Sequence, residues 1–467
     1  MAFNSFEYLI FFVAILSASW MTVRTPNLRL LILLLGSYYF YAANNGWILI
    51  LLVGTTLVDY WAGLAIAGTA DGRRRALFLS LSLVSNLGML GYFKYTNFLL
   101  TNGCGLLGWQ CGAFDIFLPV GISFYTFQSI SYVVDVYRHR LPAEPSLLRF
   151  AFYVAFFPHL VAGPIVRARY FLHQLDEPVK LGRRELESAL FLIALGLFKK
   201  MVLADSLADF AAPPFEHPET ASALTAWLGL FSFTMQIFFD FSGYTDVAIG
   251  CARLMGYRIP PNFRRPYTAV SFTEFWRRWH LSLSFWLRDY LYIPLGGSRM
   301  RTALGVCRNL MITMMLGGLW HGASWTFVLW GTVHGLLLSL ERLLGWGRLS
   351  RDYQGRPLAR ILRGAALFPL IALTWLPFRA NSWAVLDGYV HALVRVDVPM
   401  ILTTGMAAAM AVILAGWMVQ MADEVGVLRR HLMRLPMPIK GLAYGAVAVA
   451  VTIFAARGTP PFIYFAF

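Results

Sequence analysis

The sequence predicts an all-α polytopic membrane protein, and three observations carry that prediction. Of 467 residues, 58% are hydrophobic and only 13% are charged, about half the charged share of a soluble domain. Mean hydropathy is +0.60, and runs such as "LRLLILLLGSYYFYAA" and "GMAAAMAVILAGWMVQ" are too apolar to face water. The basic excess, 39 Lys+Arg against 24 Asp+Glu for a net charge of +15, gathers between the apolar runs. Disorder, collagen, coiled coil and a disulfide-built secreted scaffold are excluded.

A helix needs about 20 mainly apolar residues to cross a hydrocarbon core of about 30 Å. Ten full spans follow, near 5–22, 28–42, 47–68, 76–94, 114–136, 185–208, 222–255, 360–380, 399–419 and 437–456. The second is short, and the seventh is too long for one straight crossing. No small-residue cleavage site follows the first, so it reads as a retained span. Arg24, Arg29, Arg73–Arg75, Arg138, Arg140, Arg167–Arg184 and the block from Arg258 to Arg301 fall on one side. The opposite loops, 95–113, 209–221 and 381–398, are nearly free of Arg and Lys. By the positive-inside rule the basic side is cytoplasmic and both termini lie outside. A pI near 9.8 is therefore mostly topology and calls for no nucleic acid. Anionic lipid headgroups or an anionic cytoplasmic substrate can share the surface.

Two segments break the pattern. Residues 147–166, "SLLRFAFYVAFFPHLVAGPI", are basic on both flanks and interrupted by Pro158 and Gly163–Pro164, which a continuous helix tolerates poorly. A re-entrant hairpin fits, its irregular backbone satisfied by protein or a water-filled cavity. Residues 309–341 also begin and end beside arginines. As helix they measure about 50 Å, which predicts two half-depth arms bent at Gly317, Gly318, Gly322 and Ser324. Trp320 and His321 then lie deep in the protein.

Residues 257–302 alternate Arg with Trp, Phe and Tyr. Amphipathic helices lying in the interface have this composition. The pattern predicts one helix from Ser271 through His280 and a second over 285–292. The whole reads as a single integral-membrane domain, 1–467: N-terminal spans 1–136, a core at 137–345, then C-terminal spans and an aromatic tail at 346–467.

His321 is the leading candidate. An ionisable group inside a bilayer is a functional-site hypothesis by default, and imidazole accepts and returns a proton near neutral pH. The bland alternative is a neutral histidine serving only packing. His280, in "EFWRRWH", either contacts headgroups or lines the entrance to the same cavity. His334 reads as a satisfied core histidine and His159 as intermediate. His139, His173, His217, His391 and His431 read as solvated. Asp240 and Asp246, in "QIFFDFSGYTDVAIG", need partners if buried, an interfacial arginine or the neighbouring Ser242, Tyr244 and Thr245; they either hold the cavity together or relay protons, and the structural role is expected. Cys104 and Cys111 are either a disulfide or two free thiols. Cys251 and Cys307 carry no motif. No catalytic triad, phosphate-cradling loop or metal-ligand spacing stands out. In the tail "RGTPPFIYFAF" the candidate side-chain nucleophile is Tyr464, set among phenylalanines.

At "FFPHLVAGPIVR", at "FFDFSGYTDVAIGCARLMGYRIPPNFRRPYTAVSFTEFWRRWHLSLSFWLRDYLYIPLGG" and at "GGLWHGASWTFVLWG" the chain resembles the membrane-bound O-acyltransferases of the bacterial alginate O-acetyltransferase type. The resemblance covers most of residues 1–345 and, more loosely, the remainder. It implies the family's helical bundle, His321 as the catalytic histidine, and His280 as part of the second characteristic motif. It implies acetyl-CoA as donor substrate, with no bound cofactor, and Arg264, Arg265, Arg277, Arg278 and Arg288 on the side that would attract it. The closing "FIYFAF" is similar to an aromatic motif of related acylation systems, which implies Tyr464 as an acyl acceptor. A periplasmic SGNH-type partner would then acetylate alginate or another exopolymer outside a bacterial inner membrane. Peptidoglycan acetylation and D-alanyl export are the alternatives within the family. A transporter or flippase is the alternative of another class, and the two corresponding halves usual there are not seen.

Overall fold

A computed structural model describes residues 1, 3–43, 45–161, 163–346, 357–422, 431, 434–455 and 462. All regular structure among them is helical. In chain order the helices are α1 (Phe6–Met21), α2 (Pro26–Ala42), α3 (Ile48–Ala67), α4 (Gly72–Leu90), α5 (Thr96–Leu106), α6 (Ile122–Tyr137), α7 (Leu147–Ala155), α8 (Phe157–Leu160), α9 (Ala168–Phe171), α10 (Arg183–Leu197), α11 (Asp205–Ala211), α12 (Pro213–Glu216) and α13 (Ala223–Leu254). There follow α14 (Phe272–Trp276), α15 (Leu281–Leu287), α16 (Ala303–His321), α17 (Trp325–Leu343), α18 (Pro357–Thr374), α19 (Leu376–Arg379), α20 (Trp383–Ala392), α21 (Thr404–Ala422) and α22 (Met437–Ala455).

The all-α membrane class stands, while the count of spans changes. Among the described residues seven helices are long and apolar enough to cross a bilayer: 48–67, 72–106, 223–254, 303–321, 358–379, 404–421 and 437–455. The first expected span, Phe6–Met21, is apolar but shorter. The fourth continues through a π-turn at Gly91–Tyr95 to Leu106, so half of the expected loop 95–113 is helix. The fifth starts only at Ile122 and is buried along nearly its whole length, an interior helix rather than a lipid-facing one. The seventh is unbroken over 32 residues, about 48 Å.

The residues form two compact units, 1–193 with 247–260, and 194–246 with 261–467. In the first, α3, α4 and α6 pack together around Asp59, whose carboxylate accepts from Ser82 Oγ at 2.6 Å and Asn86 Nδ2 at 2.8 Å. Residues 147–166 are broken as expected. α7 stops at Phe156, where Pro158 opens the four-residue α8, and Phe150–Leu160 are buried throughout. The break is thus enclosed in protein, the condition that irregular backbone needs in an apolar medium. Cys104 and Cys111 are disulfide-bonded, which decides between the two sequence readings. Cys251 is buried, with the Tyr8 hydroxyl donating to its Sγ at 3.3 Å.

The second unit centres on the α16–α17 hairpin. Each arm has 19 residues, about 28 Å. That is longer than the expected half-depth arms, because α16 begins at Ala303, capped by Thr302, and not at Asn309. The bend is where the glycines predict it: α16 ends at His321, Gly322 is extended, and Ser324 caps α17. The arms approach backbone to backbone. A Cβ on Gly318 would lie 2.2 Å from the Phe327 carbonyl oxygen, and one on Gly331 would lie 2.2 Å from that of Met314. Small residues allow such approach between membrane helices.

Candidate active site

The site grows from the end of α16. His321 is its last residue, and the C-cap Gly322 turns the chain sharply away. The imidazole is 5% exposed and walled by rings, with centroids at 5.0 Å from Trp320, 5.1 Å from Trp330 and 5.2 Å from Phe378. Trp330 comes from the facing arm α17 and Phe378 from α19. The indole Nε1 of Trp330 is buried with no acceptor among the described residues.

His280 lies on the same site, its ring 6.4 Å from His321 and 6.2 Å from Trp320. Sequence reading runs one helix through it, and the structure corrects this. α14 is capped by Ser271 but ends at Trp276, and His280 takes a left-handed backbone, φ 42°, before α15 begins at Leu281. α15 then continues through a π-turn to Tyr292, so the second expected helix, 285–292, is present and begins four residues earlier. A non-glycine residue in that region costs on the order of 1–3 kcal/mol and persists only where its surroundings hold it. Here Arg264 N–H donates to the Arg278 carbonyl at 2.9 Å, and Leu281 N–H donates to that of Asn262 at 2.8 Å. Ser282 Oγ donates to Asn262 Oδ1 at 2.6 Å. The result is a fully buried imidazole with Phe241 edge-on at 4.7 Å, not a headgroup contact.

α14 is itself fastened. The Glu341 carboxylate at the end of α17 accepts from the N–H groups of Phe272 and Thr273, at 2.5 and 2.9 Å, and from Thr273 Oγ1 at 2.8 Å. Glu274 pairs with Arg278 at 2.5 Å and Arg360 at 2.7 Å. Burial alone would push the Glu274 carboxyl up, but the Val270 N–H and the two guanidinium groups hold it below the ordinary range. Trp276 Nε1 donates to His334 Nδ1 at 3.3 Å, so His334 is the hydrogen-bonded core histidine that its sequence context suggests.

The remaining expected residues divide. Arg264, Arg277 and Arg288 are exposed, and Arg288 lies against Asp289 at 2.7 Å. Arg265 and Arg278 are half-buried, and Arg278 is taken up by Glu274 and Thr268. Asp240 and Asp246 are paired by lysines rather than by an interfacial arginine: Lys200 with Asp240 and Lys199 with Asp246, each at 2.7 Å. Lys200 also reaches Asp205 at 2.8 Å. The "KK" pair was the overlooked signal, two adjacent cations inside an apolar stretch. His159, in the first unit, is buried against the Tyr153 carbonyl at 2.9 Å and Gln128 at 3.1 Å. His139, His173, His217, His391 and His431 are exposed. Tyr464 lies outside the described residues.

Residues 138–374 match the family model of MBOAT, the membrane-bound O-acyltransferases. Over 365 residues the chain is 44% identical to a protein of Pseudomonas aeruginosa named probable alginate O-acetylase AlgI, covering 76% of this chain and 68% of that one. It is 37% identical over 358 residues to a peptidoglycan O-acetyltransferase of Helicobacter pylori, covering 71% and 67%. A teichoic acid D-alanyltransferase of Streptococcus thermophilus is 33% identical over 238 residues, covering 48% and 56%.

Proposed function

Because the chain belongs to the membrane-bound O-acyltransferase family, we propose that this O-acyltransferase takes an acetyl group from cytoplasmic acetyl-CoA and passes it across a bacterial inner membrane. The acetyl group would go to an exopolysaccharide such as alginate, delivered by an extracytoplasmic SGNH-type partner. The higher identity to the alginate O-acetylase relative, 44% against 37% for the peptidoglycan one, favours alginate as the polymer. Both termini would face the periplasm, with the basic loops inside.

The observation that carries the reading is His321 at the end of α16, buried among three aromatic side chains with His280 on the same site. His321 would take the proton from an acceptor hydroxyl as its oxygen attacks the thioester carbonyl. The C–O bond forms, the C–S bond breaks, and the proton returns to the departing thiolate as the coenzyme A thiol. The carbonyl end of α16 stabilises the positive imidazolium formed on the way. The Trp330 N–H is a donor for the developing oxyanion, and the aromatic wall keeps out water that would hydrolyse the thioester. The acceptor hydroxyl is that of Tyr464, from which the partner would collect the acetyl group. The five arginines would draw the polyanionic donor to the cytoplasmic mouth, with Arg264, Arg277 and Arg288 exposed and Arg265 and Arg278 half-buried.

The test is His321→Ala. Polymer acetylation is expected to fall at least a hundredfold, the usual scale for a general base, with unchanged membrane abundance. Acetylation retained in a normally inserted variant would sink the assignment.

A further inference from the structure

Apart from the histidine site, the first unit contains a cleft of about 710 Å³. Its lining carries Arg169, Lys180, Arg253 and Arg258 against Glu177 and Glu185, four positive side chains to two negative. Glu185 faces Arg258 at 3.8 Å and Glu177 faces His173 at 3.7 Å. Among the described residues the carboxylates are thus engaged elsewhere than with Arg169 and Lys180, whose potential is left to an incoming anion.

The walls are built rather than loose. Gln174 clamps the segment after α13 from both sides of its amide: Oε1 accepts from Arg258 N–H at 2.8 Å, and Nε2 donates to the Arg258 and Tyr170 carbonyls at 3.0 and 2.9 Å. Behind the wall the buried Arg29 guanidinium donates to Tyr257 Oη at 3.0 Å and to the Met255 carbonyl at 2.6 Å. The cleft therefore exists before a ligand arrives, which lowers the ordering cost of binding.

Its place in the fold selects the ligand. The cleft lies where α13 ends and α10 begins, and α13 is long and apolar enough to span, so its end belongs at the headgroup layer. Tyr170, half out of the protein at 46% exposure, supplies the aromatic contact common at that level. On α10, Leu186 and Leu190 face outward next to Glu185, an apolar track beside the cleft that an acyl chain can follow and a soluble nucleotide cannot use. Basic pockets beside membrane helices take phosphate headgroups. We infer that this cleft binds a phosphate group, and that its source is the headgroup of an anionic phospholipid.

The test uses the full chain in a neutral detergent, titrated calorimetrically with dihexanoyl phosphatidylglycerol. Saturable binding is expected, with none for dihexanoyl phosphatidylcholine. The double substitution Arg169→Glu, Lys180→Glu should weaken it by roughly ten-fold or more. The neutral pair Arg169→Gln, Lys180→Gln should weaken it less, and decides the matter if charge reversal impairs folding in a thermal melt. Excess coenzyme A should leave phosphatidylglycerol bound. Equal binding of the zwitterionic lipid, or unchanged affinity in the folded variants, would overturn the site. Displacement by coenzyme A would overturn the lipid as its source.

Discussion

His280 marks how far residue type alone locates a side chain. Its neighbours Arg277 and Arg278 suggest an interfacial side chain, yet the ring is fully buried 6.4 Å from that of His321. The left-handed backbone at φ 42° turns it inward, and no residue-type preference announces that, because the clasp comes from Asn262 and Arg264 in an earlier segment. His321 was legible for the opposite reason: an ionisable residue inside an apolar run is conspicuous by itself. Trp330 and Phe378, its other walls, are ordinary apolar residues in sequence and acquire a role only through proximity. Tyr464 belongs to this scale too, as the one phenol of the tail. Tyr464→Phe deletes one oxygen, and is expected to abolish transfer to the polymer while leaving acetyl-CoA binding within about two-fold. Full polymer acetylation by that variant would remove the tyrosine from the proposed path; both quantities can be read on purified protein and on isolated polymer.

At the element scale the α16–α17 hairpin is the unit that places the histidine. Gly317, Gly318 and Gly322 announce a bend, which is right, but Gly318, with Gly331 of the facing arm, serves closeness between the arms as well. The Gly331 backbone meets the Met314 carbonyl so closely that even a methyl group would have to push main chain aside. Gly331→Val is therefore expected to destabilise the second unit by at least the 1–3 kcal/mol, roughly, of an overpacked core, seen as a lower unfolding temperature of the detergent-purified protein. An unaltered melt would mean that the arms part without cost. The arms are longer than the sequence predicts because the basic residue at 308 looks like a boundary. Arg308 instead lies inside α16, hydrogen-bonded to Asn309 at 3.1 Å. The interfacial segment divides earlier than the sequence predicts for a related reason. A helix beginning at Ser271 has a good N-cap, but five residues are all that the Glu341 and Glu274 anchors fasten before the chain must turn His280 inward.

For the whole molecule, orientation is the open physical quantity, and loop charge predicts it. A single cysteine introduced as His217→Cys, at an exposed position between α12 and α13, is expected to react with a membrane-impermeant maleimide added to intact spheroplasts. Labelling only after the membrane is opened would reverse the topology and place the basic loops outside. Class, most helix positions, the broken segment at 147–166 and the hairpin bend are all determined by the sequence itself, because apolar length, proline and glycine act through near neighbours and need no tertiary partner. The pairing of Lys199 and Lys200 with Asp246 and Asp240, the disulfide, the burial of α6 and the meeting of His280 with His321 were decided by tertiary structure alone. Each joins residues separated by at least seven positions and up to dozens along the chain. Their energies depend on distance and on the exclusion of solvent, and neither exists until the helices have packed.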